Sequence, residues 1–403
     1  MLPGLESGEF IVRLRQTVNM RVAAVESRTL HVNERTNWHF VRVRTDEGVE
    51  GIGEASLNGH EPLLEACLAQ LRPLLLGAPL DDDHPALATH PHAPTGLVGH
   101  AVRSAIRQAF VDARARAAGV PAWQLLGGRR RDRVPVYANV NRATRDRSPE
   151  GCAASARAAV ERGFRAVKIA PFDGVLPDAL HEPATRRAIE AGVARVEAMR
   201  AAVGPLPRLM VDCHWRFDEP TALRVLDRLA TAGIHWFECP VSEQPHAHDA
   251  LARIRQAANE RGILVAACER QTAVDGFRPF ALPRRVDAIM PDVKYCGGPV
   301  EMLRIAAFAQ GHGVLFSPHN PTGPVCTLAS LHVALAAPAV DSLEYQLGES
   351  DLARDVVGGV EPQLVDGAFV APEGPGWAAE LDAAVLAAHS YAPVAPGLDE
   401  RLG

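Results

Sequence analysis

RLMVDCHW at Arg208–Trp215, HWFECPV at His235–Val241, LVAACER at Leu264–Arg270, DAIMPDVKY at Asp287–Tyr295 and VLFSPHNP at Val314–Pro321 share one layout. Each is a short apolar run that ends in an ionisable residue: Asp212, Glu238, Glu269, Asp292 and His319. The runs Arg208–Asp212, His235–Glu238, Leu264–Ala267, Ala288–Met290 and Val314–Phe316 are almost wholly apolar. Gly, Pro or charge bounds them, the pattern of strands buried on both faces. Stretches of helical periodicity separate them. Repeated strand–helix units predict a parallel α/β barrel with its site at the C-terminal strand ends. A carboxylate ending an apolar strand is costly to place there without a partner. Three of them on consecutive strands, Asp212, Glu238 and Glu269, read as a divalent-metal cage.

Working outward, the alternation starts at Val134 and gives eight strand candidates. The other three are Val134–Val140, Ala166–Ala170 and Ser342–Glu344. Helical segments are expected over Pro149–Arg162, Ala184–Val203, Glu219–Ala232, His246–Arg261, Val300–Gln310 and Thr327–Ala336. The connection Thr272–Pro283 reads as short and poorly helical, and one last helix is expected over Gly376–His389. The first ~130 residues differ: strands over Val12–Val25 and Val41–Glu54, then helices over Pro62–Leu75 and His100–Ala118, an α+β unit. Asp46-Glu47-Gly48 supplies the turn chemistry of a hairpin. The basic run Arg129–Arg131 marks the boundary and reads as a solvated junction or subunit contact. The expected division is therefore an N-terminal α+β domain over 1–131, a barrel over 132–370 and a terminal segment over 371–403.

Composition excludes several classes. The chain has 403 residues, long enough for a barrel of roughly 200–250 residues plus a second unit. A formal net charge of −6 argues against a nucleic-acid or anionic-membrane binder. Nothing approaches the ~20 consecutive apolar residues of a membrane span. The start MLPGLESGEF lacks the basic and apolar regions of a secretion signal. Seven cysteines without a CxxC pair read as reduced core residues of a cytoplasmic protein.

A hard cation such as Mg²⁺ takes oxygen ligands in near-octahedral geometry. Asp212, Glu238 and Glu269 supply half an octahedron, and the open half can accept a substrate carboxylate or α-hydroxyl. Such a metal is a Lewis acid for an enediolate formed when a proton leaves the carbon beside a carboxylate. His319 and Asp292 follow neighbouring strands about 4.8 Å apart. An Asp–His hydrogen bond there fixes the imidazole tautomer and raises its basicity, as a general base requires. By strand alternation His214 faces the same side as Asp212; it is a second ligand, a general acid or a residue of the mouth. Lys168 ends the second strand and can polarise a substrate carboxylate. Lys294, two past Asp292, is a substrate-binding candidate, and Glu344, ending the eighth strand, can bond a substrate oxygen.

These motifs resemble the enolase superfamily, in its mandelate racemase/muconate-lactonizing branch, over nearly the full length. RVRTDEGVEGIGEA resembles that branch's capping-domain hairpin, and AVKIAPF, MVDCHW, WFECPV, ACE, IMPDVKYCGG and SPHNPTG resemble its strand ends two to seven. The resemblance implies a modified (β/α)7β TIM barrel with an N-terminal α+β capping domain and a C-terminal tail returning to the cap. It also implies Mg²⁺, a small carboxylate substrate and a homo-oligomer, from dimer to octamer. It carries the ligand role onto Asp212, Glu238 and Glu269 and the dyad role onto His319 and Asp292.

Departures set the subfamily. Many relatives carry Lys-x-Lys on strand two, where this chain reads Lys168-Ile169-Ala170. Ala170 moves no proton, so a mandelate-type racemase with acid/base groups on both faces is disfavoured. Asp212-x-His214 instead resembles the acid-sugar dehydratases, in which that histidine protonates the departing hydroxyl. The loop Pro171–Arg187, containing His181, looks longer than usual and is placed at the mouth or a subunit contact. The leading expectation is a Mg²⁺-dependent dehydratase of an aldonate or aldarate. A lactone or anhydrosugar cycloisomerase, an epimerase using His319 and Lys168, and a non-catalytic metal-binding barrel are the alternatives.

Overall fold

The computed structural model describes residues 17, 19–88 and 95–395. An antiparallel meander opens it: β1 Val22–Asn33, β2 Thr36–Thr45 and β3 Glu50–Glu54, in that order across the sheet. The expected turn joins β2 to β3, with Gly48 at φ 79. The helices Glu61–Leu75 and Gly96–Ala118 cover the sheet. Gly51 and Gly53 permit this: a Cβ on either would lie 2.0 Å from a carbonyl of the second helix, Ala109 O or Ala105 O. The expected strand over Val12–Val25 is corrected. Positions 12–16 and 18 lie outside the described residues, and β1 instead starts at Val22 and runs on to Asn33. Its polar Glu26, Arg28 and His31 hid it from a search for apolar runs.

The barrel follows as β4 Arg133–Asn139, β5 Ala166–Ile169, β6 Arg208–Asp212, β7 Trp236–Glu238, β8 Leu264–Ala267, β9 Ala288–Ile289, β10 Leu315–Phe316 and β11 Leu343–Gln346. β4 to β10 pair in parallel in chain order, and β11 pairs in parallel with β4. Backbone bonds from Asp341 N to Phe316 O (2.9 Å) and from Glu344 N to Pro318 O (3.2 Å) link β10 to β11 and close the ring. Each of β4 to β10 is followed by a helix, the last being Pro324–Ala336. This is the expected (β/α)7β barrel. Tyr137, Ala166, Met210, Trp236, Ala266, Ala288 and Met290 fill its interior; a larger apolar layer packs between strands and helices.

Several expectations change in detail. Thr272–Pro283 contains a true helix, Ala273–Ala281, held by buried Phe277, Phe280 and Ala281 despite Pro279. The loop Pro171–Arg187 ends earlier than expected, because a helix starts at Pro183. The final helix shrinks to Ala383–Ala388, where Asp382 accepts from Ala384 N and Val385 N and so fixes its start. An unforeseen hairpin, β12 Leu364–Val365 and β13 Ala368–Val370, pairs antiparallel with β4. Its turn is Asp366-Gly367, both at positive φ, a dipeptide whose hairpin signal was present in the sequence. In the basic run Arg129 and Arg130 are exposed, while the half-buried Arg131 donates to the carbonyls of Ala334 and Ala337 at the end of the helix Pro324–Ala336.

The C-terminal segment returns to the first domain. Trp377 Nε1 donates to Ile52 O at 2.9 Å, Trp377 N donates to Asp112 Oδ1 at 2.8 Å, and Leu30 bridges Ser390. All seven cysteines are unpaired and buried. Among the described residues no helix is long and apolar enough to cross a membrane.

Candidate active site

Asp212 ends β6 in register with Glu238, which ends β7. Glu269 lies two residues past β8 and reaches the same place after Cys268, which takes φ 80. One carboxylate oxygen from each of the three lies within 4.8 Å of the others, and all three residues are buried. The triad expected from the strand ends therefore assembles, and its hard oxygen donors suit a divalent cation.

Lys168, only 1% exposed, sits beneath the triad. Its Nζ lies 2.6 Å from Glu238 Oε1, 2.8 Å from Glu344 Oε1 and 3.9 Å from Asp212 Oδ2, with the Tyr137 ring below it. Burial opposes its charge, but Glu238 and Glu344 outweigh that and hold it well above the usual lysine range. Burial and then the charge of Asp212 push Glu238 well above the carboxylate range. Glu269 is raised by burial too, although His319 pulls the other way. Four buried carboxylates thus cluster around one buried lysine, which reaches three of them. That excess of negative charge is what a divalent cation offsets, so the residues present fit a metal.

The dyad forms as expected. His319 Nδ1 lies 2.9 Å from Asp292 Oδ2, and the two backbones make a parallel bridge. The other ring nitrogen, Nε2, faces the triad, 3.4 Å from Glu269 Oε2 and 3.9 Å from Glu344 Oε2. Burial works against a charged His319, yet Glu269, Glu344 and Asp292 raise its pKa above the ordinary histidine value. Asn320, next in chain, donates its N–H to Glu344 Oε2 at 2.9 Å and so fixes the loop to β11.

His214 also reaches the triad, though not by strand alternation. β6 stops at Asp212, and His214 at φ 48 begins a turn whose N–H donates to Asp212 Oδ1 at 3.0 Å. The turn swings Nε2 to 2.9 Å from Asp212 Oδ2. Burial opposes it, but His214 and then Lys168 hold the Asp212 carboxyl well below its usual range. The two histidines thus flank the triad, His214 at Asp212 and His319 at Glu269.

Lys294 is placed differently from its expected position. β9 ends at Ile289, so residues 292–295 form a turn in which Lys294 N donates to Asp292 Oδ1 at 2.8 Å. The buried ammonium lies 3.6 Å from Asp292 Oδ2 and donates to Ser56 O and Tyr295 Oη at 3.3 and 3.1 Å. It backs the dyad from the side of the capping domain. Asn139, Glu243 and Glu54 escaped the sequence reading. Asn139 Nδ2 donates to Glu344 Oε1 at 2.7 Å; its position at the end of β4 was the available signal. Glu243 gathers Trp215 Nε1, Cys268 N and Gln271 Nε2 at 3.1, 2.8 and 3.0 Å, and its loop position gave none.

Two family models match this chain: the mandelate racemase/muconate lactonizing enzyme N-terminal domain over residues 14–127 and the enolase C-terminal domain-like family over residues 151–385. The chain belongs to the enolase superfamily. A D-xylonate dehydratase of Haloferax volcanii is 32% identical over 374 residues, 90% of this chain and 87% of that protein. A D-galactonate dehydratase of Verminephrobacter eiseniae is 30% identical over 360 residues, 87% of this chain and 90% of that protein. The crystal structure of a mandelate racemase/muconate lactonizing enzyme from Jannaschia sp. CCS1 superposes with a TM-score of 0.81 at 25% identity, covering 94% of this chain and 100% of that one. Superfamily membership agrees with the triad, which can hold a divalent metal.

Proposed function

We propose that the protein is a magnesium-dependent hydro-lyase that dehydrates a sugar acid. The observation that carries this reading is the flanking of one carboxylate triad by two histidine nitrogens, His319 Nε2 and His214 Nε2. Asp212, Glu238 and Glu269 would hold Mg²⁺, which supplies Lewis-acid stabilisation of negative charge on the substrate carboxylate.

His319 takes the α-proton at Nε2. Asp292 keeps the other nitrogen protonated, fixes the ring and stabilises the imidazolium that results. His214, at the Asp212 end, donates a proton to the departing β-hydroxyl. The enol that remains becomes a 2-keto-3-deoxy acid. Lys168 and Glu344 hold the floor of the site. Lys168 already donates to Glu238, which places it as a fixed positive charge and disfavours it as an epimerase base. Ala170 offers no replacement. In this reading the described parts of the cap, up to residue 131, and of the returning segment, 371–395, close over the barrel 132–370 and exclude water.

The test is incubation with Mg²⁺ and a panel of aldonates and aldarates, with D-xylonate and D-galactonate, the acids named for its relatives, at its head. Formation of a 2-keto-3-deoxy acid from a member of the panel is expected. Exchange of the α-proton with solvent without loss of hydroxide would favour epimerisation instead.

A further inference from the structure

Glu54, the last residue of β3, is wholly buried where the capping sheet meets the barrel. Its Oε1 accepts from Gly323 N at 2.9 Å and from Ser56 Oγ at 2.6 Å, and its Oε2 accepts from Cys326 N at 3.0 Å. Those amides open the helix Pro324–Ala336, whose N-cap, Gly323, has no side chain to satisfy them. A carboxylate at a helix start is favoured by hydrogen bonding and by the helix dipole together. A Cβ at Gly323 would lie 2.5 Å from Glu54 Oε1, so the carboxylate could not keep this position beside a larger residue. Only Asn320, Pro321 and Thr322 separate this clamp from His319.

A second tether leaves the same short segment. Ser56 O accepts from Lys294 Nζ at 3.3 Å, and that ammonium lies 3.6 Å from Asp292 Oδ2, the oxygen bonded to His319. We propose that Glu54–Ser56 positions both halves of the dyad: Glu54 fixes the helix behind the His319 loop, and Ser56 holds Lys294 against Asp292. Glu54 and Lys294 are positioning residues, since each acts through a neighbour. The docked cap thereby sets the aim of the base as well as covering the site. The inference rests on His319 being the base.

The experiment compares full-length Glu54→Gln and Lys294→Met with wild type, in Mg²⁺, on whichever of D-xylonate and D-galactonate turns over. Glutamine presents an N–H₂ group to one of the two helix amides, and methionine keeps the length of the lysine stem without its charge. In both variants kcat and the α-proton exchange rate are expected to fall on the order of 10- to 100-fold, the effect of a misaimed catalytic group. KM should stay within about twofold, the signature of an interaction used in the transition state rather than in binding. Mg²⁺ affinity measured by calorimetry, and cooperative unfolding, should be retained. Wild-type kcat in both variants would overturn the inference. So would loss of turnover accompanied by loss of Mg²⁺ affinity or of cooperative unfolding, which marks a purely structural joint. His319→Asn is the separate control. If it still exchanges the α-proton, the base assignment fails whatever the other variants do.

Discussion

Lys168 Nζ lies 2.6 Å from Glu238 Oε1, so one member of the carboxylate triad is charge-paired before any metal arrives. The same ammonium holds Glu344, and the fold supplies no water to replace it, because Lys168 is 1% exposed. Removing one partner of a buried ion pair costs about 3–5 kcal/mol, since the other charge is left uncompensated. Lys168→Met is therefore expected to melt well below wild type in EDTA. Mg²⁺ should recover more of the loss than it adds to wild type, because a dication substitutes for the missing charge. Equal melting temperatures in EDTA would contradict this account of the floor.

Metal binding is the next expectation. Glu269→Gln removes a ligand charge but little volume, so its fold should survive while Mg²⁺ affinity and turnover collapse. Calorimetric titration of Mg²⁺ into variant and wild type checks the affinity. Wild-type turnover that persists after exhaustive EDTA treatment would refute the assignment of Asp212, Glu238 and Glu269.

A pH effect on stability should come from His332, far along the helix from the site. Trp123 N donates to His332 Nδ1 at 3.0 Å, and the ring packs edge-on against Trp377. Burial lowers its pKa from 6.5 to about 3. The unfolded chain therefore binds more protons between those values. The contribution is complete above pH 6.5 and declines as pH falls toward 3, by up to about 1.4 kcal/mol per pH unit. Urea unfolding between pH 7.5 and 5.5 should show wild type losing roughly 1 kcal/mol more than His332→Asn. Equal losses would show that this histidine is not held neutral.

The strand ends were legible because burial on both faces leaves a continuous apolar run, and a charge ending such a run demands a partner. That logic located Asp212, Glu238, Glu269, Asp292 and His319. It failed where chain direction changes within a residue or two. Alternation was applied to His214, and Lys294 was singled out two residues past Asp292, yet both lie in turns begun by the carboxylates before them. His214 still reached the triad, whereas Lys294 turned behind the dyad. β1 was obscured because only part of its length faces the core. The helix Ala273–Ala281 was obscured by Gly276 and Pro279, although Phe277, Phe280 and Ala281 carry its buried face. Glu54 was unreadable for a different reason: its partners, Gly323 and Cys326, are remote in sequence and only the packed cap brings them near.

The division of labour between the two histidines is tested most directly by α-proton exchange in deuterium oxide, followed by proton NMR for His319→Asn and His214→Asn beside wild type. General-base loss typically costs on the order of 10²–10⁴-fold. His319→Asn should lose exchange and elimination together, while His214→Asn should still exchange the α-proton and lose only the departure of hydroxide. Exchange at near wild-type rate in His319→Asn would contradict the account and place the base elsewhere, with Lys168 the first residue to examine.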